Sequence, residues 1–217
     1  MSNITDMLTN PDRFFAELSQ RDVNLMTPFV IVLITAIVGA ICTMITYRVM
    51  TSSYPAEISA IFGALSTFST ISSLITPFIS WVIYAVVFYA VSMLFKGEGS
   101  FERIFELVGY GFVPMIIASV VGLVTTMILA PAFGSPFGNP ELLQQTMMQR
   151  LSMYSPAMTV SASIQFLLWL WGVVIWIFAV KHARNLGTGH AIITVLVVPV
   201  AVILVVVIGL ICIIAAA

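Results

Sequence analysis

The sequence predicts an all-α membrane protein, a bundle of five transmembrane helices with short amphipathic helices at the membrane interface. Only 8% of its 217 residues are charged, whereas soluble domains carry roughly 25%. Hydrophobic residues make up 60%, and the mean hydropathy is +1.12. These residues form long uncharged runs rather than alternating ten-residue segments, which favours helices over a β-barrel.

The same composition excludes several functional classes. A soluble fold of this size still exposes roughly a quarter to a third of its unfolded surface, so it could not hide this many apolar side chains. The 8 Lys and Arg are offset by 9 Asp and Glu, which excludes a basic nucleic-acid binder. Cys42 and Cys212 lie in separate apolar runs and form no disulfide or metal-ligand pattern.

Residues 1–23 are predicted to form a cytoplasmic amphipathic segment. Asn10 is a good helix cap, and Pro11 suits the first helical position. One face of this helix carries three apolar side chains, Phe14, Phe15 and Leu18. We expect this face to lie on the cytoplasmic surface of the membrane, and a docking face for a partner is the alternative.

Residues 24–217 are predicted to form the five-span domain. A helix needs about 20 apolar residues to cross a bilayer. The predicted spans are about 25–47, 70–95, 105–130, 158–180 and 191–214. The first run is too long for a signal-peptide core and follows a polar start, so we expect it to be retained as an anchor.

The second apolar stretch is longer than one span. As a single helix, residues 58–95 would measure roughly 57 Å, whereas the bilayer core is about 30 Å thick. We therefore expect a helical lead-in at 57–69. The alternative is two re-entrant halves that meet near Pro77.

The second stretch also carries a hydroxyl stripe at helical spacing, formed by Ser66, Ser69, Ser73, Thr76 and Ser80. Small polar residues allow close helix contacts in lipid. The stripe therefore predicts helix packing, and a polar transport path is the alternative.

Two further signals concern helix geometry. Gly109 and Gly111 precede Pro114 in the third span, which predicts a kink near its cytoplasmic end. The pair Asn139 and Pro140 predicts a second interfacial helix in the outer loop. Its apolar residues recur every four positions, at Leu143, Met147 and Leu151.

Basic residues predict the orientation. With five spans, six Lys and Arg fall on the side of the N-terminus and two, Arg48 and Arg150, on the other. Because cytoplasmic loops carry the excess of positive charge, we expect a cell-membrane protein with a cytoplasmic N-terminus and an extracytoplasmic C-terminus.

No residue is assigned a catalytic, cofactor-binding or metal-binding role. Ser100 is expected to cap a helix in which Glu102 and Glu106 are solvated. Lys181 and Arg184 are expected to set the topology and meet anionic lipid headgroups. A metal site is the alternative for a wider group of loop residues, His182, His190, Glu98, Glu102 and Glu106.

The sequence resembles the Yip family of Ypt-interacting membrane proteins in its prokaryotic form. The resemblance rests on residues 10–15, 96–101, 107–114 and 181–184, together with a Trp-rich fourth span. Its most distinctive element is Gly-Tyr-x-x-x-Pro, with Gly109, Tyr110 and Pro114, which we interpret as structural residues. The family implies five helical spans, a cytosolic N-terminus and no known catalysis.

Eukaryotic members of that family are linked to prenylated Ypt/Rab GTPases and carry a longer tail with an Asp-Leu-Tyr-Gly-Pro motif. This sequence lacks that motif, so binding of a small GTPase is not carried over. We expect a non-enzymatic protein without cofactors that scaffolds partners or organises the membrane. Its expected partners are membrane lipids, a second copy or other membrane proteins. The alternatives are a channel or passive transporter, and an interfacial metalloenzyme that uses His182, His190 and Glu106.

Overall fold

The structure, a computed structural model, describes residues 4–51, 56–133 and 140–216. These residues form helices and no strand, so the predicted all-α class is confirmed. The helices are α1 (Ile4–Thr9), α2 (Pro11–Ser19), α3 (Met26–Thr51), α4 (Ala56–Leu94), α5 (Phe101–Gly109), α6 (Val113–Phe133), α7 (Pro140–Ala183) and α8 (Thr188–Ala216). A 3₁₀ turn, Tyr110–Phe112, separates α5 from α6.

Four helical segments are long and apolar enough to cross a membrane. They are Met26–Thr51, Phe62–Leu94, Phe101–Ala130 and Ser152–Ala183, and α8 contributes a shorter apolar stretch, Thr188–Ala201. Only 11 to 33% of the most apolar part of each long segment is buried. Apolar surface of this extent must be covered by lipid or by other membrane helices, so the chain is an integral membrane protein.

The long second stretch is one continuous helix. The predicted lead-in at 57–69 is helical and belongs to α4, which contains Pro77 in its interior. The alternative of two re-entrant halves is therefore wrong. A transmembrane helix can tolerate an internal proline because groups on neighbouring helices or nearby side chains satisfy the backbone carbonyl that the proline frees.

The predicted helix start at Pro140 is confirmed, but a separate interfacial helix is not found. Helix α7 continues from Pro140 through Pro156 to Ala183. Pro156 removes the hydrogen bond to the carbonyl of Ser152, and Ser155 Oγ donates to that oxygen at 2.9 Å. The carbonyl that Pro156 frees is therefore satisfied within the helix. The predicted cap Asn139 and the side chains of Leu143, Met147 and Leu151 lie outside the described residues.

The third span contains the predicted irregularity. The α-helix gives way to the tighter turn Tyr110–Phe112 immediately before Pro114. Because Pro114 cannot donate to the carbonyl of Tyr110, the backbone cannot continue its regular α-helical bonding there. The α-helix is thus interrupted next to Pro114, where the sequence predicts a kink, and the kink itself stays a prediction.

The chain divides into two compact units. Unit 1 contains residues 1–30, 80–111 and 172–217, and unit 2 contains residues 31–79 and 112–171. The core of unit 1 is formed by large buried side chains such as Phe15, Phe88, Ile104, Leu107 and Ile175. In unit 2, buried residues of α3 include Val32, Ala36 and Ala40.

Candidate functional site

In unit 1, the N-terminal helix α2 packs on the protein rather than on lipid. Asn10 accepts a hydrogen bond from the backbone of Arg13 at 3.3 Å, which confirms the predicted cap. Phe14 and Phe15 are buried, and both contact the Tyr110 ring edge-on, with centroids 5.5 and 6.1 Å away. Their face is therefore not free to lie on the membrane or to dock a partner, which corrects the expectation.

A buried ion pair fastens the segment that links α2 to α3. Arg103 Nη1 lies 2.7 Å from Glu106 Oε2, and the same guanidinium donates to the backbone carbonyls of Leu18 and Arg21. Glu106 Oε1 accepts from the backbone N–H of Asn24 at 3.0 Å. Two residues of α5 thereby hold both ends of this linker.

The burial of Glu106 corrects the sequence prediction. Its side chain is 0% exposed, whereas we expected a solvated residue. Glu102, one turn earlier, is exposed as predicted, and Ser100 caps the helix by accepting from Arg103 N at 3.3 Å. The spacing of the two glutamates gives no signal for this difference, because the partners of Glu106 are distant in sequence.

Arg184 is a second buried cation, which we expected at the lipid headgroups. Its Nε donates to Ser92 Oγ at 2.9 Å, and its terminal nitrogens donate to the carbonyls of Gly97 and Gly99. The guanidinium also lies 4.5 Å from the centre of the Tyr89 ring. Arg184 therefore anchors the loop after α4 to the end of α7.

The helix ends that surround Arg184 are closed by left-handed residues, Lys96 and Asn185, with φ of 56° and 49°. After α4, the N–H of Gly97 bonds the carbonyl of Ser92 at 3.0 Å, and after α7 the N–H of Leu186 bonds that of Lys181 at 3.0 Å. These bonds satisfy carbonyls that a helix end leaves open. They fix the C-terminal ends of α4 and α7, which Arg184 joins.

A third polar contact joins α2 to the end of α7. Asp12 Oδ1 lies 2.6 Å from Lys181 Nζ and 2.7 Å from His182 Nε2. The hydrogen bond from Lys181, followed by that from His182, holds the pKa of Asp12 below its usual value. Lys181 therefore pairs with a carboxylate instead of serving only as a headgroup contact.

The residues of the metal hypothesis are placed apart. His182 contacts Asp12, Glu106 pairs with Arg103, and the ring of His190 stacks on Phe95 with centroids 4.8 Å apart. Within the described ranges, no three His, Cys, Asp or Glu side chains are grouped to hold a metal ion.

The glycines of the third span allow close contact with two tryptophans. A Cβ on Gly109 would lie within 3.2 Å of the Trp81 ring, and a Cβ on Gly111 would overlap the Trp176 ring. Both indoles donate to backbone carbonyls of α5, Trp81 to Phe105 at 2.7 Å and Trp176 to Val108 at 2.9 Å. This arrangement supports a structural role for Gly109.

Unit 2 contains a groove lined by hydroxyl groups from three candidate spans. Its volume is about 520 Å³. The hydroxyl-bearing lining residues are Thr35, Thr43 and Thr46 of α3, Ser72, Ser73 and Thr76 of α4, and Ser119 and Thr126 of α6.

The hydroxyl stripe of α4 does contribute to packing, as predicted. Ser69 Oγ lies 2.9 Å from the hydroxyl of Tyr47, and Ser73 Oγ lies 2.9 Å from Thr43 Oγ1. Both contacts join α4 to α3. Thr76 instead is exposed in the groove, so the stripe serves packing at two positions and lines open space at another.

Comparison with known proteins gives one family. The model of the Yip1 domain matches residues 5–210. The chain belongs to the Yip1 domain family. An uncharacterized protein of the archaeon Methanocaldococcus jannaschii is 36% identical over 121 residues, which cover 56% of this chain and 86% of the relative. No solved structure matches.

The resemblance to the prokaryotic Yip type is thus confirmed by a match that includes both units and an archaeal relative. The Yip1 domain match also includes Gly109, Tyr110 and Pro114. In the structure, Gly109 lies against Trp81, Tyr110 begins the 3₁₀ turn and Pro114 lies at the start of α6. Sequence reasoning missed Glu106 and Arg184 as buried anchors, although residues 181–184 contributed to the resemblance.

Proposed function

We propose that this Yip1-domain protein acts without catalysis, as a membrane scaffold that binds a partner protein on the face presented by its N-terminal segment. The observation that carries the proposal is the triple attachment of this segment. It is held by Arg103 and Glu106 of α5 and, through Asp12, by the end of α7. A surface held in one conformation loses less entropy when a partner binds.

The outer face of the attached segment remains available. Arg13 and Glu17 pair with each other at 2.9 Å and are largely exposed, and Arg21 and Asp22 are exposed as well. A cavity of about 640 Å³ is lined in part by Arg21, Asp22, Phe14 and Tyr110. Mixed charges beside a partly apolar cavity are typical of a protein-binding surface with a polar rim.

Cross-linking in the native cell, followed by purification in mild detergent, tests the proposal. We expect a partner or a second copy to be captured, and capture to fall at least fivefold with the double charge reversal Arg13→Glu and Arg21→Glu. Arg48→Glu, at an exposed residue of unit 2, is the matched control. A clean monomer, or equal losses with both changes, would refute the scaffold.

We further propose a location in the cell membrane, with the N-terminus in the cytoplasm and the C-terminus outside. The six-to-two distribution of Lys and Arg supports this orientation. Reporter tags fused before Met1 and after Ala217 test it. Tags found on the same side of the membrane would show an even number of crossings and would overturn this orientation.

Passive passage of a small solute is the second candidate function, and the groove of unit 2 favours it. Flux into liposomes that contain the native protein or Ser73→Leu measures this activity. We expect Ser73→Leu to reduce flux if the groove is part of a pathway. Equal flux with and without protein would remove this candidate.

A further inference from the structure

The groove of unit 2 contains hydroxyls that have no partner. In the part of the chain that the structure describes, Thr46, Ser72 and Thr76 line the groove, and their side-chain hydroxyls make no hydrogen bond. Other hydroxyls there bond their own helix, for example Thr35 to Ile31 O at 2.8 Å and Ser119 to Met115 O at 3.0 Å. The hydroxyls of Thr46, Ser72 and Thr76 therefore differ from the other groove hydroxyls, because they are free to bond an occupant of the groove.

These unpaired hydroxyls constrain what can fill the groove. Transfer of a hydroxyl from water into an apolar environment without a hydrogen-bond partner costs roughly 2–7 kcal/mol of free energy. Lipid acyl chains offer neither donors nor acceptors, so beside them Thr46, Ser72 and Thr76 could bond only carbonyls of their own helices. An occupant with hydrogen-bonding groups satisfies them, since each hydroxyl offers one donor and two acceptor positions.

The charge of the groove restricts the occupant further. Its lining, as far as the structure describes it, contains hydroxyls, Cys42, Pro77, Leu123 and two glycines, and no Asp, Glu, Lys, Arg or His. An ion that left water here would have no opposite charge to compensate its lost hydration. An uncharged molecule avoids this penalty.

The dimensions of the groove favour a binding site over a complete conduit. Along α3 it extends from Thr35 to Thr46, which is roughly 16 Å of helix against a bilayer core of about 30 Å. A Cβ on Gly39 or on Gly122 would meet nothing within 4 Å, so the space beside these lining glycines is open. Its volume lies within the range of small-molecule pockets.

We propose that this groove binds a small uncharged molecule that carries hydroxyl or carbonyl groups. The site lies in unit 2 and requires neither the scaffold surface of unit 1 nor passage across the membrane. Thr46, Ser72 and Thr76 supply the free hydrogen-bonding groups, and Cys42 reports on access to the groove.

The test uses Cys42 in the full-length Cys212→Ala protein, reconstituted in phosphatidylcholine liposomes. Three methanethiosulfonate reagents share one reactive group and carry a hydroxyethyl, a sulfonatoethyl or a trimethylammonioethyl substituent. In each reaction the Cys42 thiolate displaces methanesulfinate and forms a mixed disulfide. The extent of modification is expressed as a fraction of that reached when the same protein is unfolded in dodecyl sulfate.

We expect the neutral hydroxyethyl reagent to modify Cys42 at least tenfold faster than either charged reagent. Glycerol should slow this reaction in a saturable manner, whereas potassium chloride of equal osmolarity should not. Thr76→Leu, which removes a free hydroxyl and fills space, should slow it at least fivefold. Ser163→Leu is the matched control, because Ser163 is exposed in unit 2 and bonds its own helix at Thr159 O.

Several outcomes would overturn the proposal. They are an unreactive Cys42 in the native protein, equal rates with neutral and charged reagents, no protection by glycerol, or equal effects of Thr76→Leu and Ser163→Leu. Gly122→Leu is a second filling variant, which keeps the test decisive if Thr76→Leu does not fold. Loss of partner capture by the charge reversals in unit 1 would leave these rates unchanged.

Discussion

Replacing Gly111 by alanine adds only one methyl group, but it should destabilise unit 1 strongly. The new Cβ would lie within 2.6 Å of Trp176 Cε2 and closer still to other atoms of the same ring. Real Cβ atoms do not approach a neighbour this closely, so the indole or the turn must move. The indole is 4% exposed and has little space to move into.

The magnitude follows from what holds Trp176. Its Nε1 donates to Val108 O at 2.9 Å, and its ring contacts Tyr84 and Phe88 with centroids 4.8 and 6.1 Å away. Overpacking of a core typically costs about 1–3 kcal/mol, and a lost hydrogen bond adds about 0.5–1.5 kcal/mol. We therefore expect Gly111→Ala to lower the free energy of unfolding by about 2–4 kcal/mol.

Equilibrium unfolding in mixed micelles, followed by tryptophan fluorescence, measures this change. Gly63→Ala is the matched control, because a Cβ at Gly63 meets nothing within 4 Å and alanine favours the helix by about 1 kcal/mol. Trp176→Phe should destabilise the Gly111→Ala protein less than the native one, because the smaller ring relieves the overlap. An unchanged stability of Gly111→Ala, or additive effects in the double variant, would refute this account of the contact.

Four further changes test the buried and exposed charges by the same unfolding measurement. Arg184→Ala should cost about 3 kcal/mol, because it leaves two loop carbonyls and a serine without their donor. Arg13→Ala, at an exposed residue, is the control and should leave the unfolding midpoint unchanged. Glu106→Leu should cost about 3–5 kcal/mol by leaving its arginine partner unpaired, and equality with the native protein would contradict the buried pair. The pKa of Asp12 is lowered in the folded protein, first by Lys181 and then by His182. The ionised carboxylate therefore stabilises the fold above its unfolded-state pKa of 3.8, and this stabilisation is lost as the pH falls through the folded-state pKa. Asp12→Asn should flatten this acid dependence by less than about 1 kcal/mol, since the pair is partly exposed.

The features predicted correctly from the sequence depend on local or one-dimensional patterns. The cap at Asn10 and the start of α7 at Pro140 follow from backbone chemistry within a few residues. The apolar spans follow from composition along the chain. These signals require no knowledge of which segments meet.

The features that sequence reasoning missed depend on partners that are distant along the chain. Arg184 finds its acceptors in the loop after α4, and Glu106 finds the N–H of Asn24 before α3. The continuity of α7 through Pro156 has no signal in the local sequence, where an internal proline predicts a helix end. A charged residue next to a span is compatible with lipid, water or burial, and only the tertiary contacts decide among these environments.

The anchoring of the loop after α4 has a consequence for how its sequence can vary. Arg184 holds this loop through main-chain oxygens, and every amino acid supplies such an atom. Natural variants should therefore change Glu98 freely. Gly99 is different, because its φ is +116° and an added Cβ would collide with the carbonyl of Ala183. Gly97 is confined as well, because an added Cβ would lie 3.0 Å from Ser92 O and 3.2 Å from Arg184 Cβ. Mutational tolerance in this loop should therefore be high at Glu98 and low at the glycine on either side of it.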